Sequence, residues 1–207
     1  MTIRKSAFVA ITLLTSGLAH AGWSANLGYM SDYYYRGIFQ SESTPSGGID
    51  YEEGGFSAGI WSADVKDGLE VDGYFSYGGE VGDFGYSVGY TGYFYTGDFD
   101  DTYQEINLGG SYGFVSLDIA IGEYDNFDSP KADYGYYALT FEKNGFYGKY
   151  AGFSQDFDGE YIEVGYGTTV ADIDLGVAAL FNDEDLTGTG SSDESLIFTI
   201  GKSFDLQ

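Results

Sequence analysis

Apolar and polar residues alternate with a period of two along nearly the whole chain beyond residue 21, the pattern of β-strands with one apolar face. Ala25, Leu27 and Tyr29 share one face of the first segment, with Ser24, Asn26 and Gly28 on the other. Val115, Leu117, Ile119 and Ile121 make the cleanest stripe, backed by Ser116, Asp118 and Ala120. The last segment shows Leu196, Phe198, Ile200, Phe204 and Leu206. Twelve such segments can be traced, each about nine to eleven residues where the pattern is clear, the length a tilted strand needs to cross a bilayer.

The connections alternate in length. Glu52–Gly55, Glu80–Asp83, Gly113, Lys143–Gly145 and Thr168–Ala171 are tight. Arg36–Gly47, Asp98–Asp101, Gly122–Ala132, Gln155–Gly159 and Asn182–Asp193 are longer and polar. Aromatic residues flank the tight turns, as with Tyr51 and Phe56, Tyr77 and Phe84, or Phe141 and Phe146, where a membrane interface favours amphipathic rings. The expected fold is all-β: a closed antiparallel up-and-down transmembrane β-barrel of twelve strands, with short periplasmic turns and longer acidic outer loops. A soluble β-sandwich would show the same period, since alternation does not say which face is inside. Loop lengths, turn-flanking rings and the leader below favour the membrane barrel.

Residues 1–21 read as a signal peptide. Arg4 and Lys5 precede an apolar run over Ala7–Leu18, and Ala19-His20-Ala21 offers a cleavage site before Gly22. The run is too short for a membrane helix. Residues 22–207 are then the barrel, exported through the periplasm to the cell outer membrane.

Removing the leader leaves six lysines plus arginines against 33 acids, a formal charge of −27, with no cysteine and no histidine. Serine–histidine and cysteine–histidine hydrolysis and histidine-ligated zinc are excluded with them. Phosphate-binding surfaces need basic side chains, so nucleic acid is not an expected partner. Tyrosine at 21 and glycine at 33 argue for folded strands over an acidic disordered chain.

If the apolar faces meet lipid, the opposite faces line a lumen. Its candidate selectivity residues are Asp32, Arg36, Asp50, Glu70, Asp72, Glu105, Asp118, Glu163, Asp172 and Asp174. A narrow tube so lined concentrates cations and repels anions. Two readings stand: a small cation-preferring pore, and a non-conducting barrel filled by its own tyrosines with a structural or surface-interaction role. Arg36, the one arginine of the mature chain, has the parity of Asp32 and reads as a structural counter-ion rather than a catalytic group. Asp156-Phe157-Asp158-Gly159-Glu160 resembles part of a calcium loop, but the rest of the twelve-residue pattern is missing. No catalytic residue, cofactor or metal site is expected. The expected partners are outer-membrane lipid, lipopolysaccharide and small solutes or cations, with the oligomeric state open.

The mature chain also carries Ala25-Asn26, Ser31-Asp32-Tyr33, Tyr35-Arg36-Gly37 and Gln40, then Gly47-Gly48-Ile49-Asp50-Tyr51, Gly55-Phe56 and Gly59-Ile60-Trp61. Glu70-Val71-Asp72, Gly85-Tyr86 and Gly201-Lys202-Ser203-Phe204 follow. In these motifs it resembles the TorF-type porin family of proteobacterial outer-membrane proteins. That resemblance implies an outer-membrane β-barrel with a porin role and no family catalytic residues.

Overall fold

Each alternating segment forms a strand, and each strand pairs antiparallel with two neighbours until the sheet closes on itself. The computed structural model describes residues 22–206; the leader expected at residues 1–21 lies outside the described residues. The strands are β1 (Gly22–Tyr35), β2 (Ile38–Glu53), β3 (Phe56–Val65), β4 (Gly68–Val81), β5 (Phe84–Tyr95) and β6 (Tyr103–Tyr112). They continue as β7 (Val115–Tyr124), β8 (Ala132–Lys143), β9 (Phe146–Gln155), β10 (Glu160–Val170), β11 (Ile173–Asn182) and β12 (Asp193–Leu206). One helical turn, α1 (Glu184–Thr187), interrupts the last outer loop. Closure is made by β1 against β12, from Trp23 opposite Leu206 to Met30 opposite Thr199.

The alternation sorts the side chains as expected. Leu27, Ile60, Leu108, Ile121 and Phe198 point outward and remain exposed, whereas their neighbours Glu70, Thr91, Glu105 and Leu180 on the inward face are buried. The outer surface is thus a continuous apolar belt, which suits hydrocarbon and not water. The inward face carries glycine and serine where side chains crowd. An added Cβ at Gly59 would lie 2.5 Å from a carboxylate oxygen of Asp50.

One connection differs from the sequence reading. The long first outer loop expected over Arg36–Gly47 is absent, because β2 already begins at Ile38. Arg36 and Gly37 alone make the turn, with φ of 51° and 86°. Both values are positive, as in the hairpin turns whose twist matches the strands they join. Lys66 and Asp67, for which the sequence reading names no connection, join β3 to β4 without a loop. Alternation is poor over Ser31–Pro45, so those strand residues read as loop.

The first hairpin is the one irregular part of the wall. Pairing of β1 with β12 stops at Met30, and pairing of β2 with β3 reaches only Ser46. Residues 31–45 therefore form a two-stranded flap whose only strand partner is itself. Where the ladder to β12 would continue, the Phe198 amide donates instead to Ser31 Oγ at 2.9 Å. A register shift between Tyr33 and Tyr34 bends the flap, and its tip folds inward across the barrel.

Candidate functional site

The tip of the flap ends on the far wall. Arg36 donates from Nη1 to Glu105 Oε2 at 2.7 Å and from Nη2 to Oε1 at 2.6 Å, a two-pronged pair between the turn and β6. Glu105 also accepts from the hydroxyls of Tyr93 and Tyr134, each at 2.8 Å, and from Asn107 Nδ2 at 2.6 Å. Its side chain is fully buried and that of Arg36 only 14% exposed. The guanidinium lies 4.1 Å from the Tyr136 ring centre and 5.0 Å from that of Tyr35. Planar charge, forked donors and ring stacking explain arginine here, since lysine supplies none of the three.

Around this pair the upper lumen is packed. Tyr134, Tyr136, Phe153, Tyr161 and Leu180 form one cluster with Leu186 of α1. Gly37 is fixed against it: its carbonyl accepts from Asn182 Nδ2 at 2.7 Å, and an added Cβ would meet Leu186 and Tyr161 at 2.8 Å. A second cluster joins Met30, Tyr33, Trp61, Ala63 and Val65 on the side nearer β3. A cavity of about 40 Å³ remains on the outer side, among Tyr35, Gln40, Tyr103 and Phe157.

Glu70 and Asp72 share the inward face of β4 beside the second cluster, both with no exposed surface. Tyr33 donates its hydroxyl to Glu70 Oε1 at 2.7 Å. Glu70 Oε2 and both carboxylate oxygens of Asp72 are buried away from any cation, with each other and the Tyr95 hydroxyl as polar neighbours.

Below the plug the lining is polar, with Tyr74 and Tyr147 lying over the inward glycines Gly59 and Gly165. Asp50 accepts from Asn26 Nδ2 at 3.0 Å and from the Tyr74 hydroxyl. Glu163 accepts from the Tyr147 hydroxyl and lies 3.6 Å from Lys149 Nζ, and half-buried Asp118 is within electrostatic reach of the same lysine. Near the inner end Asp174 accepts from Thr169 Oγ1 at 2.5 Å.

Of the ten candidate lumen residues, Arg36, Glu70, Asp72 and Glu105 come together in the plug. Asp50, Asp118, Glu163 and Asp174 lie on the wall below. Asp32 is half-buried in the flap opposite Glu42. Asp172 departs from its expected place: with Ala171 it forms an inner turn, at φ of 60°, and is exposed there rather than lining the lumen. The plug's aromatic residues were not singled out, although Tyr33-Tyr34-Tyr35, three rings in a row, breaks the alternation at the flap.

The acids of the outer loops bind backbone. Asp156 Oδ2 accepts from the Asp133 amide, Asp183 Oδ2 from the Glu160 amide, and Asp101 Oδ2 from the Phe127 amide. Among the described residues no group of three or more histidine, cysteine or acidic side chains gathers as a metal site would.

No family model matches the chain, and no curated protein does. Solved structures do. One, presented as "Unveiling the Mechanism Behind the in-meso Crystallization of Membrane Proteins", has a TM-score of 0.57 at 9% identity over 90% of this chain and 84% of its own. At that identity the likeness is one of fold. Pseudomonas aeruginosa OccK2 (OpdF) in complex with glucuronate gives a TM-score of 0.44 at 14% identity, over 86% of this chain and 62% of its own. A BenF-like porin from Pseudomonas fluorescens Pf-5 gives 0.41 at 14%, over 86% and 59%. The chain thus spans about three fifths of the length of those two porins.

Proposed function

We propose that this protein is a non-enzymatic outer-membrane barrel of the porin type, related to the TorF-type family, that passes small solutes with a preference for cations. The flap holds it closed. The observation that carries the reading is the charge of the upper lumen, where Glu70, Asp72 and Glu105 face the single guanidinium of Arg36. Any route through the barrel passes a level with excess negative charge in low-dielectric surroundings, which favours cations and repels anions. The apolar belt supports a lipid setting, and the leader-like first residues support export through the periplasm. The acidic outer loops suit the divalent-bridged lipopolysaccharide surface. The flap shares a backbone ladder with the wall only at its base, so opening requires release of side-chain contacts such as Tyr33–Glu70, Tyr34–Ser195, Ser41–Asp64 and Arg36–Glu105 and leaves the ladder between the wall strands intact.

A second reading, a non-conducting barrel, is favoured by the aromatic packing of the same level by Tyr93, Tyr134, Tyr136, Phe153 and Tyr161. Conductance in planar bilayers under a salt gradient separates the two. Cation-signed channels, in the wild type or after shortening of the flap, support the pore. Silence in both favours the filled barrel, and an anion-signed reversal potential overturns the charge argument.

A further inference from the structure

We infer that Glu70 and Asp72 form a binding site for one divalent cation of the calcium type inside the plug. The two side chains stand two residues apart on β4, on one face, with their carboxyl groups within reach of each other. Neither exposes any surface. Their polar neighbours are neutral or acidic, the hydroxyls of Tyr33 and Tyr95 at Glu70 and the two carboxyl groups at each other, whereas the neighbouring Glu105 is held by the Arg36 guanidinium and three neutral donors. The contrast within one lumen is the informative point. A buried carboxylate without a counter-charge costs several kcal/mol, and a buried charge left unbalanced needs an explanation.

Among the described residues no nearby side chain supplies the missing positive charge. Arg36 is committed to Glu105 through both terminal nitrogens, and Lys131 and Lys149 are paired elsewhere. The donor set is all oxygen, which suits hard cations and not zinc or copper. Two carboxylates carry a formal charge of −2, so a divalent ion leaves the pocket neutral where a monovalent ion leaves it charged. Calcium accepts irregular oxygen geometry more readily than magnesium and completes its sphere with hydroxyls and water. Tyr33, Trp61 and Tyr95, which pack in the same cluster, wall off the site. A bound ion would tie β4 to the flap through Tyr33 and so stabilise the plug.

The site builds on the same carboxylates as the pore reading but does not require conduction: calcium binding by a barrel that never conducts retains the site and removes the pore. The test uses the full chain folded in detergent, stripped with a chelator and titrated with calcium in about 0.3 M sodium chloride to screen diffuse loop charge. The readout is the temperature at which heat unfolds the barrel. Saturating calcium should raise it by about 5 °C or more in the wild type. Asp72→Asn and, independently, Glu70→Gln should lose most of that rise, whereas the exposed loop variant Asp128→Asn should keep it. Calorimetry should show one strong site in the wild type and none in Asp72→Asn. Overturning results are the absence of a calcium effect in the wild type, an equal rise in Asp72→Asn, or stability that follows pH alone and ignores calcium, which would assign the pair a shared proton. If Asp72→Asn does not fold, Glu70→Gln decides by the same two measurements.

Discussion

Arg36 and Glu105 stand 69 residues apart in the sequence and meet inside the barrel through two hydrogen bonds of 2.6 and 2.7 Å. One partner sits on a flap tip with no flanking strand; the other sits on a wall strand locked on both sides. The pair therefore joins a flap that has no flanking strand to the closed frame of the wall. Such pairs contribute little net stability against an apolar replacement, but breaking one side leaves a buried charge unmatched.

Arg36→Ala should accordingly destabilise the folded barrel by about 3–5 kcal/mol, because Glu105 keeps its neutral donors but loses its counter-charge. Arg36→Lys should fall between the two, retaining charge but losing the fork and the ring stacking. Urea unfolding in detergent measures both. Equal stability of the alanine variant would mean that the tip contacts do not hold the flap.

Shortening the flap tests its role in closure. Replacing residues 33–41 by a two-residue Asn-Gly turn closed by the Asp32–Glu42 pair removes Arg36 and the Tyr33–Tyr35 rings without touching any strand pair to β3 or β12. The expected outcome is an intact, heat-modifiable barrel with higher single-channel conductance than the wild type. A barrel that folds and stays silent would place the block in the wall aromatics alone.

The wall was legible in the sequence and the plug was not, for reasons that lie in particular residues. Strand faces follow from period two, and Leu27 against Gly28 or Ile106 against Glu105 sort as the alternation says. Tight inner turns were legible from glycine, as at Gly113 and Gly145. The flap was not, because Ser31–Pro45 pairs only with itself and turns its tip and one face into the lumen while Phe39, Glu42 and Ser43 stay exposed, so neither lipid nor a neighbouring strand imposes alternation. Its turn is also Arg-Gly rather than the usual Asn-Gly, with a non-glycine residue at positive φ. The acidic candidates carried the right parity at Glu70, Asp72 and Glu105. Which of them were paired depends on contacts across the barrel that no local pattern encodes.

Inside and outside can be exchanged experimentally at one point on β6. Leu108 faces outward between Val88 and Ile119, so Leu108→Arg should cost about 2–4 kcal/mol near the bilayer midplane. Ser111, on the inward face of the same strand, lines the polar lumen outside the Glu105 network, and Ser111→Asn should cost far less. Folding into lipid vesicles, followed as a function of urea, reads the difference. Reversed sensitivities would mean that the apolar face is not the lipid face.

Selectivity, if the barrel conducts, should depend on which carboxylate is neutralised. Glu105 is balanced by Arg36, so it contributes little net field, while Glu70 and Asp72 have no ionic partner among the described side chains. In the flap-shortened barrel, which removes Arg36, the order changes and all three acids add to the field. In chelator-stripped protein, where no divalent ion balances the pair, Glu70→Gln with Asp72→Asn should therefore move the wild-type reversal potential toward zero, and Glu105→Gln should move it little. In the shortened barrel Glu105→Gln should move it as well. Equal effects of all three acids in the wild type would show that Arg36 does not neutralise Glu105 in the conducting state.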